Sequence, residues 1–95
     1  MKYVLTHNTK TIGDTTLYRI QALRSFANVR EGDLGGWVSS ADNLAQEGNA
    51  WVSGNAQVYG DALVFGNALV SGNAQVSDNA LVSGNAHLTT GTTTT

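Results

Sequence analysis

The sequence predicts an all-β protein in which a β-hairpin cap precedes a three-sided parallel β-helix of about three coils. Seven hexapeptides run without a break from Gly48 to Thr89: GNAWVS, GNAQVY, GDALVF, GNALVS, GNAQVS, DNALVS and GNAHLT. A fixed six-residue period is the signature of a solenoid. Alanine always holds the third place of the unit, and valine or leucine always holds the fifth. Residues two apart share one side of a strand, so both places are predicted to face inward.

Three short strands joined by corners would enclose a narrow prism filled by these alanines and valines. The Gly-Asn pair of most units suits a corner, because glycine accepts a positive φ and asparagine can bond to its own backbone in a turn. Three hexapeptides, or eighteen residues, complete one coil. Coils would then stack at about 4.8 Å through parallel backbone hydrogen bonds. Every third hexapeptide is therefore expected to lie on the same face.

The N-terminal third of the chain lacks the six-residue period and predicts a β-hairpin. Residues 2–6 and 16–23 are rich in β-branched and aromatic side chains, and every second residue from Tyr18 gives the later run an apolar face. Residues 7–15 contain the asparagine, glycine and aspartate of a turn. For residues 25–30, a short helical turn and an irregular link remain alternatives.

A transition joins the hairpin to the array. Its two glycines allow a tight backbone turn beside Trp37, which is expected to lie in the core of the cap. Leu44 then falls in the alanine place of the repeat, and Gln46 falls in the valine place. Degenerate repeats are common at the edge of a solenoid.

The chain is accordingly divided into two parts. Residues 1–41 form the hairpin cap and transition, and residues 42–95 form the β-helix with a threonine-rich end. That end keeps the phase of the repeats without their pattern. It is expected to fray, to fold over the open coil or to pair with another chain.

The array resembles the hexapeptide-repeat proteins that fold as left-handed parallel β-helices. Their motif is an aliphatic residue with a small residue four places on, as in Val52 with Ala56 and Val58 with Ala62. The resemblance implies a left-handed coil, although the usual crossover rule favours the opposite hand. The cap, with LYRIQAL, DLGGWV and DNLAQEGNAWV, is similar to the N-terminal part of bacterial and prophage proteins of the YdcK-like type.

Residues with catalytic or metal-binding chemistry are scarce. Relatives implied by the resemblance include acyltransferases with a histidine base and proteins that hold zinc through three histidines, but this chain has only His7 and His87 and no cysteine. Neither histidine has an acid at an orienting spacing, so both are interpreted as surface residues. Asp61 and Asp78 are interpreted as turn residues in preference to a shared cation site. We expect no catalytic residue, no metal and no cofactor.

The outward places of the repeat predict an interface. On the third face Leu63, Phe65 and Leu81 are apolar although each was free to be polar. Contiguous exposed apolar surface on a small protein usually marks a partner, so these residues are expected to form a homo-oligomeric contact. The alternative is that the cap or the C-terminal end covers them. The remaining members of the predicted surface are Trp51, Leu69 and Tyr59. For Trp51, covering by the cap is favoured.

Charge and hydropathy limit the kinds of partner that the chain is expected to bind. All five basic residues lie within residues 1–30 beside one acid, whereas residues 31–95 contain six acids and no base. This division indicates either two solvated surfaces or a docking surface for an acidic partner. The basic segment has few aromatic residues to stack on bases, so nucleic acid is not expected. No apolar run has the length of a membrane span, and the N-terminus lacks a signal-peptide pattern, so a cytoplasmic protein is expected.

The leading interpretation is a non-enzymatic oligomeric β-helical protein, a trimer or a dimer, with a structural or protein-binding role. The YdcK-like resemblance permits a phage- or prophage-encoded inhibitor of a host protein. The rival interpretation is a minimal hexapeptide-repeat acyltransferase.

Overall fold

In the computed structural model, which describes residues 1–94, nearly every regular element is a β-strand. The long strands are β1 (Tyr3–Ile12), β2 (Thr15–Ala22) and β3 (Leu34–Val38), and a 3-10 helix (Ala41–Asn43) follows them. Eight two-residue strands complete the chain: β4 (Trp51–Val52), β5 (Gln57–Val58), β6 (Leu63–Val64), β7 (Leu69–Val70), β8 (Gln75–Val76), β9 (Leu81–Val82), β10 (His87–Leu88) and β11 (Thr92–Thr93). Within the described residues, no helix is long and apolar enough to cross a membrane.

The short strands stack in parallel on three sides of a prism. The first face contains β4, β7 and β10, the second face β3, β5, β8 and β11, and the third face β6 and β9. The second face belongs to a mixed six-stranded sheet, because β2 pairs antiparallel with β3 and β1 pairs antiparallel with β2. Trp51 pairs with Leu69, and Leu63 pairs with Leu81, so the partners are eighteen residues apart. The predicted all-β solenoid of about three coils is confirmed.

The prism is filled by the alanines and valines of the repeat. Every repeat alanine from Ala50 to Ala80 is buried, and so is every repeat valine from Val52 to Val82. Backbone N–H groups of one coil donate to carbonyls of the next, as from Leu63 to Ala80 at 3.0 Å. Small and branched side chains therefore close-pack along the axis, while the backbone links the coils.

Glycine opens nearly every corner with a positive φ, a backbone conformation that strains residues with a side chain. At some corners the neighbouring coil also leaves no room for a side chain. A Cβ on Gly72, whose φ is +59°, would lie 2.5 Å from the Thr89 carbonyl oxygen. Asp78 takes the glycine place in its unit and adopts φ 58°. Within residues 1–94 the positive φ falls on this first residue of the corner and not on the asparagine that follows it.

The hairpin differs from the sequence expectation in its length. β1 continues to Ile12, so most of residues 7–15 is strand, and the turn contains only Gly13 and Asp14. A register shift interrupts the pairing in the middle of β1. Alternating threonines in this stretch favour strand, which explains the extension.

Leu44 occupies a different place from the predicted one. It bridges Val64 in parallel, so it holds the valine place of its coil, and the prediction that it holds the alanine place is wrong. Eight residues separate Leu44 from Val52, against six in a regular unit. Gln46 consequently does not hold the valine place, and its side chain bonds to the backbone of β1 instead.

The threonine-rich end continues the solenoid. β11 pairs in parallel with β8 and extends the second face by one strand. Thr93 pairs with Val76, seventeen residues away instead of eighteen, so the prediction that this end keeps the phase of the repeats is wrong. The Gln75 N–H donates to the Gly91 carbonyl at 2.9 Å, and the Ser77 N–H donates to the Thr93 carbonyl at 2.9 Å. Thr95 lies outside the described residues.

Candidate interaction surfaces

The cap closes the N-terminal end of the prism with side chains that replace backbone donors. The Lys2 ammonium donates to the Ala50 carbonyl at 2.6 Å and lies 3.5 Å from that of Gly48. One coil below, on the same face, the Ala68 carbonyl accepts from the Trp51 backbone N–H instead. Lys2 thus supplies hydrogen bonds that a preceding coil would supply.

Above the third face, the side chain of Asn43 also supplies hydrogen bonds that a preceding coil would supply. Its amide nitrogen donates to the Ala62 carbonyl at 2.8 Å and to the Gly60 carbonyl at 3.2 Å. Its amide oxygen accepts from the backbone N–H groups of Ser39 and Ser40, each at 3.0 Å. Asn43 is 1% exposed, and every hydrogen-bonding atom of this buried amide has a partner.

Burial perturbs two groups in the cap. Desolvation lowers the pKa of Lys2 to about 8, and the nearby positive charge of Arg24 acts in the same direction. Desolvation also raises the pKa of Tyr3 to about 12, with a smaller contribution from the negative charge of Asp42. The Tyr3 hydroxyl donates to the Leu44 carbonyl at 2.6 Å. Both residues therefore tie the start of β1 to the transition and the array.

The first face is partly covered by an irregular link, residues 23–33, between β2 and β3. Of the two alternatives for residues 25–30, the structure has the irregular one, with an antiparallel bridge between Phe26 and Val29. The Phe26 ring packs edge-to-face on Trp51 at 5.3 Å between centroids. Trp51 is only 4% exposed, so its ring offers almost no free surface to a partner.

The second face begins with Trp37, which is 7% exposed but shares the outward side of the sheet with Gln57 and lies outside the hydrophobic core. The prediction that Trp37 lies in the core of the cap is therefore wrong. The Lys10 ammonium lies 4.5 Å from the centroid of its ring, and the Arg19 guanidinium carbon lies 5.3 Å away. Trp37 pairs in the sheet with Gln57, whose amide oxygen accepts a hydrogen bond from Gln75 at 3.4 Å. Two cations and two amides thus make this face polar around one covered indole.

The third face brings together three of the residues that the sequence selected. Leu81 lies directly beside Leu63 in the parallel pair and is 63% exposed. Leu63 and Phe65 are partly exposed. Ala45 donates its N–H to the Val64 carbonyl, so it holds in the first coil the place that Phe65 holds in the second. Ala45, Leu63, Phe65 and Leu81 form an apolar strip across three coils, which the exposed Ser83 borders in the third coil.

The other selected residues lie elsewhere. Leu69 is on the first face below Trp51, and Tyr59 follows the β5 strand of the second face. Both are partly exposed. Since the three faces point in different directions, one flat contact surface cannot include Leu69 and Leu81 together.

A groove of about 310 Å³ lies between the link and the first face, and the sequence did not predict it. Its polar lining consists of Asn28, Asn49, Asn67 and Asn85. Val29 and Leu69 add apolar surface, and His87 is the one titratable side chain among the described residues that line it. The sequence shows asparagine at every eighteenth residue of this row, but it does not show that the link lies beside the row.

The remaining polar candidates are dispersed. His7 and His87 are both exposed, on β1 and β10 respectively. Asp61 and Asp78 are exposed corner residues joined by a backbone bond, in which the Asp61 N–H donates to the Asp78 carbonyl at 2.8 Å. Within the part of the chain that the structure describes, no group of three histidines, cysteines or acids could hold a metal ion.

Comparison with known families supports a solenoid of the YdcK type. A family model described as the YdcK beta solenoid repeat matches residues 56–72 and 74–88. The matched stretches lie within the second and third coils and make up about a third of the chain. No curated protein matches the chain.

Proposed function

We propose that this protein is a non-enzymatic scaffold that self-associates and binds protein through its third face. The observation that carries the proposal is Leu81, which is 63% exposed beside two further apolar side chains on the same sheet. A soluble protein rarely keeps a contiguous apolar strip in water unless a partner covers it.

The energetic argument rests on the strip formed by Leu63, Phe65 and Leu81. Removing the exposed part of Leu81 from water would contribute roughly 1–2 kcal/mol to association. The strip lies on a hydrogen-bonded sheet, so little conformational entropy is lost when a partner docks. The neighbouring aspartates lie at the corners, and the centre of the strip is free of charge.

A two-fold dimer fits the third face better than a cyclic trimer does. Each chain offers one such strip, and two identical strips meet about a two-fold axis without needing a second, different surface. The strip is narrow, because each of its strands contains two residues. We therefore expect a concentration-dependent dimer of modest affinity.

Concentration-dependent NMR of the unmodified protein tests where the contact lies. On dilution, the backbone amide resonances of β6 and β9 should shift together, because their environment changes when the dimer dissociates. Resonances around Leu34, an equally apolar residue that is 55% exposed on β3, serve as the internal control and should stay constant. Shifts confined to the cap would contradict the assignment of the third face.

The finer version of the proposal is a phage- or prophage-encoded protein that binds and blocks a host protein. The support is the similarity to YdcK-type repeats together with an apolar strip on a hydrogen-bonded sheet. A host protein that competes with self-association would use the same strip, so Leu81→Glu should abolish both contacts.

A minimal acyltransferase is the second candidate function. The observation in its favour is that the exposed His87 lines the groove of the first face, where a general base could act. Saturable binding of acyl-CoA that is lost in His87→Ala would establish it and displace the non-enzymatic proposal.

A further inference from the structure

We propose that the groove between the link and the first face binds a neutral linear oligosaccharide, held by the asparagine amides that line it. This site is separate from the third face, so it stands or falls independently of self-association.

The first argument is the row of amides. Asn49, Asn67 and Asn85 hold the same corner place in successive coils, and all three are exposed. Their backbone is fixed by the coil-to-coil ladder, in which Asn49 N–H donates to Gly66 at 3.0 Å and Asn67 N–H donates to Gly84 at 2.9 Å. Each side-chain amide can both donate and accept, which suits hydroxyl groups.

The second argument is the preformed wall opposite this row. Phe26 and Val29 exchange two backbone hydrogen bonds, at 3.0 and 2.7 Å, so the tip that carries Asn28 is a closed turn. The Phe26 ring is fixed against Trp51 below it. A groove with rigid walls loses little entropy when it binds a ligand.

The third argument is the mixture of surfaces. Val29 and Leu69 place apolar groups in the same groove as the four amides. A sugar ring has the matching character, with C–H groups on its faces and hydroxyl groups at its edge. The groove has a volume within the range of small-ligand sites.

Charge and spacing favour a sugar over an anion or a peptide. His87 is the one titratable group among the described lining residues, so an anionic ligand would lack a fixed countercharge. Coils repeat at about 4.8 Å, whereas alternate residues of an extended peptide repeat at about 6.7 Å and would fall out of register with successive amides.

Calorimetric titration with cellotetraose, chitotetraose and maltotetraose tests the site, using the unmodified protein, Asn67→Ala and Asn73→Ala. Asn67 and Asn73 hold the same place in the repeat, but only Asn67 lines the groove. At least one probe should bind saturably. Asn67→Ala should weaken binding about tenfold, as expected for one lost hydrogen-bonding group, and Asn73→Ala should leave it unchanged.

A second measurement keeps the test independent of any folding defect in Asn67→Ala. In the unmodified protein, the side-chain amide resonances of Asn49, Asn67 and Asn85 should shift on addition of the bound probe. Failure of all three probes to bind would overturn the proposal. Equal loss in Asn67→Ala and Asn73→Ala would also overturn it, as would Asn67-dependent binding of acyl-CoA or of an extended peptide in their place.

Discussion

At the scale of single residues, the corners of the coil depend on which residue carries the positive φ. The structure places it on glycine, where a side chain would either adopt a strained conformation or collide with the next coil. The two effects separate within this one chain, because Gly84 has open space around it while Gly72 faces the Thr89 carbonyl. Asp78, with φ 58°, shows that the strain alone is tolerated.

Gly72→Ala should therefore destabilise the protein more than Gly84→Ala. For Gly84→Ala the cost is the left-handed backbone alone, about 1 kcal/mol. For Gly72→Ala the added Cβ would also meet the Thr89 oxygen at 2.5 Å, so we expect roughly 2–4 kcal/mol. Urea unfolding followed by circular dichroism gives both values. Equal losses would show that the coil contact at Gly72 has no role.

At the scale of elements, the cap acts as a substitute coil. On the second face β3 supplies backbone donors, as from Trp37 N–H to the Ala56 carbonyl at 3.0 Å. On the other two faces Lys2 and Asn43 supply side-chain donors to equivalent carbonyls. The open edge of a solenoid is thereby satisfied without a further repeat, which limits uncontrolled edge pairing at that end.

The buried ammonium of Lys2 predicts that stability rises with pH. Below pH 8 both folded and unfolded chains hold the Lys2 proton, so the full cost of burying the charge is present. The folded protein releases that proton near pH 8, whereas the unfolded chain keeps it to about 10.5. The free energy of unfolding should thus increase between pH 8 and 10, by roughly 1–3 kcal/mol.

Above pH 10 the phenol of Tyr3 reverses the trend. The unfolded chain loses the Tyr3 proton near pH 10 and the folded protein near 12, so stability should fall across that interval.

Urea unfolding at pH 7, 8.5 and 10 tests the rise in the free energy of unfolding that is attributed to Lys2, and Lys2→Met should remove this rise. Lys10→Met, which removes the ammonium that lies over the Trp37 ring, is the matched control. If Lys2→Met shows the same rise, the burial of Lys2 is not its cause.

The sequence was sufficient to predict the structure of the array but not the structure of the cap. Regular spacing from Val52 to Val82 determines the coil, the register and the outward strip that contains Leu81, because each depends on a local repeat. The place of Leu44 was missed because a two-residue insertion before Val52 leaves no mark in composition.

The capping roles and the groove were missed for a related reason. Lys2 and Asn43 act through carbonyls more than fifteen residues away, at Ala50 and Ala62. The groove exists because Phe26 packs on Trp51, and neither local pattern nor propensity specifies such a tertiary contact. A sequence repeat predicts the contacts that recur once in every coil, whereas each of these contacts occurs only once in the molecule.

At the scale of the whole molecule, the three faces have separate characters. The cap and link partly cover the first face and leave a groove lined by amides, and cations and glutamines surround an indole on the second. The third retains the apolar strip of Leu63, Phe65 and Leu81. A molecule with one apolar side can pair about a two-fold axis, and this is the self-association that we propose for the chain.

Sedimentation equilibrium over a range of concentrations measures this self-association, with Leu81→Glu and Leu34→Glu compared with the unmodified protein. The unmodified protein and Leu34→Glu should approach twice the 9.9 kDa mass of the chain at high concentration. Leu81→Glu should remain at 9.9 kDa throughout, because a carboxylate cannot be buried in the strip without a partner. An unmodified protein that stays at 9.9 kDa at every concentration would show that the third face does not mediate self-association.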